Sequence, residues 1–309
     1  MHGILIIDKP AGITSHDVVA RTRRILRVRR IGHAGTLDPF ATGVLLTLVG
    51  RATRLARFLT DTDKEYVAII RFGYATDTGD RTGKPIGPLN PTERNFSERE
   101  LLEALRSLTG WIEQVPPMYS AKKRQGQKLY ELARRGETVE REPQRVCIHE
   151  FVPIRTGSEM IKDNRDGTYD LETRVVCSSG TYVRTLAEDL GKQLGIGAHL
   201  AELRRTRVGP FAVQDAITLD DLQVSFADGA LGQILVPPSA ALSQLPLLHL
   251  NGDDERKARH GMEVKVEGTG WDNGTQVRMC NAQDELIAIG DFVADQKRLH
   301  PRIVLVSPE

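Results

Sequence analysis

The chain has little that would mark it as secreted, membrane-spanning or nucleotide-dependent. Its three cysteines, Cys147, Cys177 and Cys280, lie far apart with no C-x-x-C pair. That argues against a disulfide framework and a cysteine-built zinc site, and leaves buried thiols as the reading. No apolar run approaches the roughly 20 residues of a membrane helix. The N-terminus, Met1 to Pro10, lacks the basic start of a signal peptide, so the expectation is a cytoplasmic protein with no membrane partner. There is no P-loop, and no G-x-G-x-x-G follows a strand, so no nucleotide cofactor is expected. Repeats and low-complexity tracts are absent. Net charge is nearly absent too, with 42 Lys and Arg against 41 Asp and Glu. What is present suits a folded chain with a sizeable core: 309 residues, 40% hydrophobic and 27% charged. That length accommodates one large domain and a small one.

The balanced charge conceals an uneven distribution. Residues 1–57 hold ten Lys/Arg and three Asp/Glu, and residues 118–145 hold eight and four. Residues 246–309 hold eight and eleven. Thr14 or Ser15 caps a predicted helix whose buried face is Val18, Val19, Thr22, Ile25 and Leu26. Six arginines, Arg21, Arg23, Arg24, Arg27, Arg29 and Arg30, occupy its other faces and its exit with no intervening acid. Helical charges usually pair with opposite sign, so this run points to phosphate contact.

The rest of the chain is organised around Ile31–Leu46. Three glycines, His33, Asp38 and Pro39 precede an apolar run, Val44 to Val49, that reads as a buried strand. Asp38 is therefore expected on a glycine-rich loop anchored in the core, where catalytic groups are commonly placed. By turn chemistry alone, an Asp-Pro carboxylate serves equally as a backbone cap. The string Gly32-His33-Ala34-Gly35-Thr36-Leu37-Asp38-Pro39-Phe40-Ala41-Thr42-Gly43 resembles the G-H-x-G-x-L-D-P-x-A-x-G signature of the TruB family of tRNA pseudouridine synthases. Three further blocks, in order, carry the same resemblance. Pro116–Gly136 resembles the bacterial P-P-x-x-S-A-x-K block, with aromatics among basic residues. Cys177–Gly191 resembles C-S-x-G-T-Y-I-R-x-L-x-x-D-L-G. Ala198–Gly209 resembles A-x-x-x-x-L-R-R-x-x-x-G.

Along the way, the β-branched stretch 64–73 predicts a strand, and 146–154 and 169–177 predict two more. Ser97 and Glu100 form a capping box opening a helix to about Leu108. A helix begins near Thr181, and 216–242 reads as helix and connector. Short apolar stretches from Leu247 onward predict a small β-barrel docked on the main domain. Its Ala258-Arg259-His260-Gly261 element resembles a PUA-type RNA-binding domain.

The resemblance implies an α+β fold. A pseudouridine synthase catalytic domain, residues 1–240, would surround a central mixed, largely antiparallel sheet and carry an RNA-gripping insertion at about 117–145. A PUA-like barrel at 246–309 would follow. It implies conversion of uridine 55 in the T-arm loop of tRNA to pseudouridine, by base flipping, with no cofactor and no metal. Asp38 matches the catalytic aspartate; attack on the base, attack on the sugar and proton abstraction all stay open. His33 matches a residue that takes the space of the flipped base. Tyr66 and Tyr182 match tyrosines of the uracil pocket, Leu203 an apolar wall, Arg184 a partner of the carboxylate, and Lys9 a lysine near the site. Tyr119 and Tyr130 divide evenly between packing and stacking on RNA. DNA is not expected as a partner, and monomer is the family's usual state. Two other readings remain: an RNA-folding factor with incidental isomerisation, and a subunit guided by a second RNA. The bacterial-looking insertion counts against the latter.

Overall fold

A computed structural model describes residues 1–86, 96–120, 123–124, 127–128, 132, 135, 137, 139–155 and 159–306. Tyr130, most of 121–138 and residues 87–95 lie outside the described residues.

The chain opens with β1 (Gly3–Lys9) and helix α1 (Ser15–Leu26). Thr14 is the N-cap: its side chain accepts from the Asp17 amide while the Asp17 carboxylate accepts from the Thr14 amide. Two strands follow, β2 (Ile31–Ala34) and β3 (Thr42–Val49). β2 falls inside the stretch expected as loop. Its pairing with β3, from Ile31 opposite Val49 to Ala34 opposite Leu46, draws the first four residues of that stretch into the sheet. The large sheet continues with β4 (Lys64–Phe72), β5 (Gly110–Gln114), β6 (Gln144–Pro153), β7 (Ile161–Asp163), β8 (Tyr169–Cys177), β9 (Ala198–Val208) and β10 (Phe211–Ala212). Helix α2 (Glu98–Ser107) carries the expected capping box, and α3 (Val183–Gln193) has Tyr182 as N-cap, so its first helical residue is two beyond Thr181.

The strand order is β1-β3-β9-β4-β8-β6-β5, with β2 on β3, β7 on β8 and β10 on β9. Every ladder in this sheet is antiparallel except β3 with β9, which run parallel through Thr42 opposite Arg204 and Gly43 opposite Arg205. This is the mixed, largely antiparallel sheet that the sequence led us to expect. β4 alternates buried and half-buried residues along its whole length. Its buried set, Tyr66, Ala68, Ile70 and Phe72, packs with Leu101, Leu105, Leu186 and Leu190 of α2 and α3. β9 has no comparable signal, because Glu202, Arg204, Arg205 and Arg207 interrupt its apolar alternation. It occupies the middle of the sheet nonetheless.

After β10 come helix α4 (Leu219–Ala227) and two short helical turns at Leu231–Ile234 and Pro238–Ala241, within the region expected as helix and connector. The C-terminal unit has strands β11 (Leu247–His249), β12 (Val264–Lys265), β13 (Gln276–Cys280), β14 (Leu286–Val293) and β15 (Arg298–Val304), with helix α5 (Gly252–Arg259). These strands form a second, curled sheet in the order β11-β13-β14-β15-β12, a half-barrel of PUA-like type. Cys280, Leu286, Ile289 and Leu305 share one buried cluster with Ile4, Leu46 and Leu48, so the small sheet is packed onto the large one. Among the described residues, no helix is long and apolar enough to cross a membrane.

Candidate active site

The parallel seam between β3 and β9 is where the chain delivers Asp38. Gly43 has φ +100°, and a Cβ there would lie 2.1 Å from the Arg205 carbonyl oxygen. Only glycine lets the two strands meet so closely. The loop 35–41 enters the seam from β2 and is fastened on every side. Lys9 Nζ donates to Ala41 O (2.7 Å), Pro10 O (2.8 Å) and Pro39 O (3.2 Å). Ser15 Oγ accepts from Leu37 N (2.9 Å) and donates to Leu37 O (3.1 Å). Arg205 donates to Val44 O (2.8 Å), Gly35 O (2.9 Å) and Thr36 O (3.4 Å). These bonds hold backbone and leave the Asp38 carboxylate to face a cavity of about 280 Å³.

Arg184 is 4% exposed and lies on the first turn of α3. Its Nε meets Asp38 Oδ2 at 3.0 Å and its Nη2 meets Oδ1 at 3.3 Å. The same guanidinium donates to Thr78 O (2.9 Å) and Tyr119 O (2.7 Å), and stands 3.7 Å from Asp80 Oδ2. A cation opposes the helix dipole at an N-terminus; two carboxylates and two carbonyls offset that here. Enclosure in the cavity pushes the Asp38 carboxyl above the usual carboxylate range, and the Arg184 charge pulls it back. Asp80 adds to the upward push, and Lys9 opposes it.

Tyr66, on β4 directly opposite Arg205, lines the cavity with Tyr182 and Leu203. Burial pushes both phenols up, so both stay protonated near neutral pH. Tyr182 is set by Gln114, which accepts from its amide (3.0 Å) and donates to its carbonyl (3.3 Å).

Five of the seven residues expected at the site, Asp38, Tyr66, Tyr182, Arg184 and Leu203, thus line one cavity. Lys9 does not. It is fully buried beneath the Asp38 loop, with its ammonium spent on three carbonyls that it holds from below. Burial lowers its pKa to about 8. His33 stands on β2, outside the cavity lining, with its ring edge-on to His16 at 5.3 Å. Burial and neighbouring cations lower its pKa to about 4, so the imidazole is neutral, and its Nδ1 is buried without a hydrogen-bond partner among the described residues. Tyr119 contributes its carbonyl to Arg184.

Reading the sequence missed Asp80, Gln114 and Arg205. Asp80 accepts from Thr78 Oγ1, Thr82 N and Thr82 Oγ1, and lies in a loop too polar to suggest a buried acid. Gln114 left a faint signal as the last polar residue of a short strand. Arg205 stood in the L-R-R motif, but sequence did not say which of the two adjacent arginines is enclosed: Arg204 is half-exposed and Arg205 1% exposed.

One carboxylate, the guanidinium groups of Arg184 and Arg205, the Lys64 ammonium, two phenols and a leucine line one small cavity, a setting that suits a flat polar ring. Among the described residues, no group of three His, Cys, Asp or Glu could hold a metal ion. The chain matches the model of the TruB family pseudouridylate synthase N-terminal domain over residues 23–183. It also matches that of the tRNA pseudouridylate synthase B C-terminal domain over residues 184–243. The chain belongs to the TruB family of pseudouridylate synthases. It is similar to the tRNA pseudouridine synthase B of Thermobifida fusca, 47% identical over 267 residues, 86% of this chain and 87% of that protein. The corresponding protein of Saccharophagus degradans is 38% identical over 306 residues, 97% of this chain and 94% of that protein. Among solved structures, a chain in a Cbf5–Nop10–Gar1 complex superposes with a TM-score of 0.74 at 27% identity, covering 99% of this chain and 85% of that one. A chain in an H/ACA RNP bound to a substrate RNA containing 2′-deoxyuridine gives 0.73 at 26%, covering 99% and 86%. This TruB-family chain is therefore an enzyme, and its activity is that of a pseudouridine synthase.

Proposed function

We propose that this enzyme converts uridine 55 in the T-arm loop of tRNA to pseudouridine, with Asp38 as its catalytic carboxylate. The observation that carries the reading is the Asp38–Arg184 pair, held at 3.0 Å in the floor of a base-sized cavity by a loop whose backbone is bonded from three sides. The reaction breaks the bond from C1′ to N1 and forms one from C1′ to C5. The hydrogen on C5 leaves as a proton and N1 gains one, so atoms and electrons balance without a cofactor.

Each residue then has a task. The uridine is extruded from its loop at a cost of a few kcal/mol. Tyr66 and Tyr182 stack on and border the base, and Leu203 closes the apolar wall. Arg184 favours the ionised form of Asp38 in an enclosure that by itself favours the neutral acid. His33, neutral and flat beside His16, occupies the space the base vacates. Lys9, Ser15 and Arg205 position the loop. Residues 1–240 act as the catalytic domain, with the insertion at about 117–145 gripping RNA, and 246–309 as the PUA-like RNA-binding domain. The protein works as a monomer in the cytoplasm.

Tritium release from T-arm RNA labelled at uridine C5 tests the reading, comparing wild type with Asp38→Asn. Release by wild type alone is expected. A folded wild type that binds the RNA and releases nothing would sink the reaction for this substrate and leave the RNA-folding role.

A further inference from the structure

α1 is fastened at one end and open at the other. Its first residue, Ser15, is bonded both ways to Leu37, beside Asp38. A helix of 12 residues rises about 18 Å, so its far end stands about that distance from the Asp38 loop. There Arg23, Arg24, Arg27, Val28 and Arg29 line a shallow cleft. Arg23 is tied to Ile31 O at 2.6 Å. Arg24, Arg27 and Arg29 are exposed, and no carboxylate among the described residues lies within ion-pair distance of them.

The ordinary explanation for such a cluster is a solvated helix end, and α5 shows what that looks like in this protein. α5 is also rich in cations, but Arg256, Lys257 and Arg259 each meet an acid of their own helix: Asp253 at 2.6 Å, Asp254 at 3.1 Å and Glu255 at 2.6 Å. The α1 cations have no such partners. A helix dipole favours cations at a C-terminus, yet Arg23 and Arg24 in the last turn already serve that. Arg27 goes further. It is the C-cap with φ 54°, a left-handed conformation in which glycine is the usual occupant and a side chain is strained. An arginine kept where glycine would be easier indicates a use for its side chain.

We propose that Arg24, Arg27 and Arg29 form a phosphate anchor for the stem of the RNA substrate, separate from the uridine site. Guanidinium forks suit phosphodiester oxygens and bind them in pairs. At about 3.4 Å per stacked nucleotide step, 18 Å is about five steps, which places the contact beyond the loop that supplies the uridine. The inference rests on the RNA-substrate reading above.

The experiment measures binding and turnover of a T-arm stem–loop by wild type, Arg27→Gly and the triple variant Arg24→Ala, Arg27→Gly, Arg29→Ala, from 0.05 to about 0.3 M salt. A second RNA has uncharged methylphosphonate linkages four to six steps from the target uridine. Each lost contact is expected to weaken binding about five- to eightfold at 0.1 M salt and to flatten the log–log salt slope by about 0.7–0.9. KM should rise with kcat unchanged. Arg27→Gly should melt at or above the wild-type temperature, since it relieves the cap, while losing affinity. The triple variant should not distinguish the two RNAs, although wild type does. A folded triple variant that binds within twofold of wild type, with the same salt slope, would overturn the anchor. If wild type itself neither binds nor turns over the stem–loop, the RNA reading fails first and takes this inference with it.

Discussion

The two sheets treat charge in opposite ways. Around the seam of the large sheet, Lys9, Asp80, Arg184 and Arg205 are all between 0 and 4% exposed. In the C-terminal unit the buried residues are Val264, Val277, Met279, Ile287, Ala288, Leu299 and others as apolar, with Asn281 the buried polar exception among the described residues. Asn281 serves only a local turn: its Oδ1 accepts from the amides of Gln283 and Glu285, and its Nδ2 donates to Glu285 Oε2 at 3.4 Å. Charged pairs there, such as Arg298 with Glu263, stay on the outside. The small sheet follows the cheap rule that an interior is apolar. The large one carries buried cations whose desolvation is offset by backbone carbonyls, two carboxylates and the Tyr66 phenol. That is an expensive way to hold a loop, and it is found where a carboxylate must be held still.

The sharpest way to break this contrast is to remove the carboxylate. Asp38→Asn should lower turnover at least about a thousandfold, on the scale of a lost acid–base or nucleophilic group, and leave RNA binding within a few fold. Tritium release beside a filter-binding assay reads both, and a variant with substantial activity would show that the seam is built for something else. Arg184→Met comes next, leaving Asp38 and Asp80 without their shared cation. Stability should fall by about 3–5 kcal/mol. The Asp38 carboxyl should rise further, so the acid limb of the pH–rate profile for kcat/KM moves to higher pH. An unmoved acid limb would remove Asp38 as the titrating group.

In the small sheet the same scale of loss should come from an apolar residue. Ile287→Ala, at a fully buried position, should cost about 2–5 kcal/mol by chemical denaturation. Lys9→Met should cost about 2–4 kcal/mol through its orphaned carbonyls and slow turnover more than it weakens binding. The pH dependence has a definite sign. Lys9 releases its proton at about 8 when folded and at about 10.5 when unfolded. The unfolded chain therefore binds more protons between those values, and wild-type stability should rise relative to Lys9→Met across that window. A flat difference between pH 8 and 10.5 would show that the buried ammonium is not strained. Smallest of all, Arg298→Ala in the half-exposed pair with Glu263 should change stability by less than about 1 kcal/mol. A larger loss would mean that the C-terminal sheet uses charge as the seam does.

Much of this was legible in the chain. Asp38, Tyr66, Tyr182, Arg184 and Leu203 carry family motifs, and the motifs converge on one cavity. Strands such as β4 and β8 announce themselves by alternation, and α1 and α2 by capping boxes. Local signals of this kind survive in sequence because each depends on neighbours within a few residues. β9 was hidden because its arginines take partners from distant strands. Arg204 pairs with Asp8 at 2.7 Å, and Arg205 bonds the loop before β3. Lys9 was read only as a lysine near the site, and the packing of β1 against β3 is what shows that it reaches under the loop.

By itself, then, the sequence determined the family, the carboxylate proposed to react and most of the elements, since these rest on residue identity and short-range periodicity. Tertiary structure alone decided which cations are buried, which carboxylates share Arg184, and that Gly43 must be a glycine. Those are matters of approach between segments more than 100 residues apart, such as Asp38 and Arg184 or Gly43 and Arg205. Whether a charged side chain is solvated or enclosed is set by what the rest of the fold places around it.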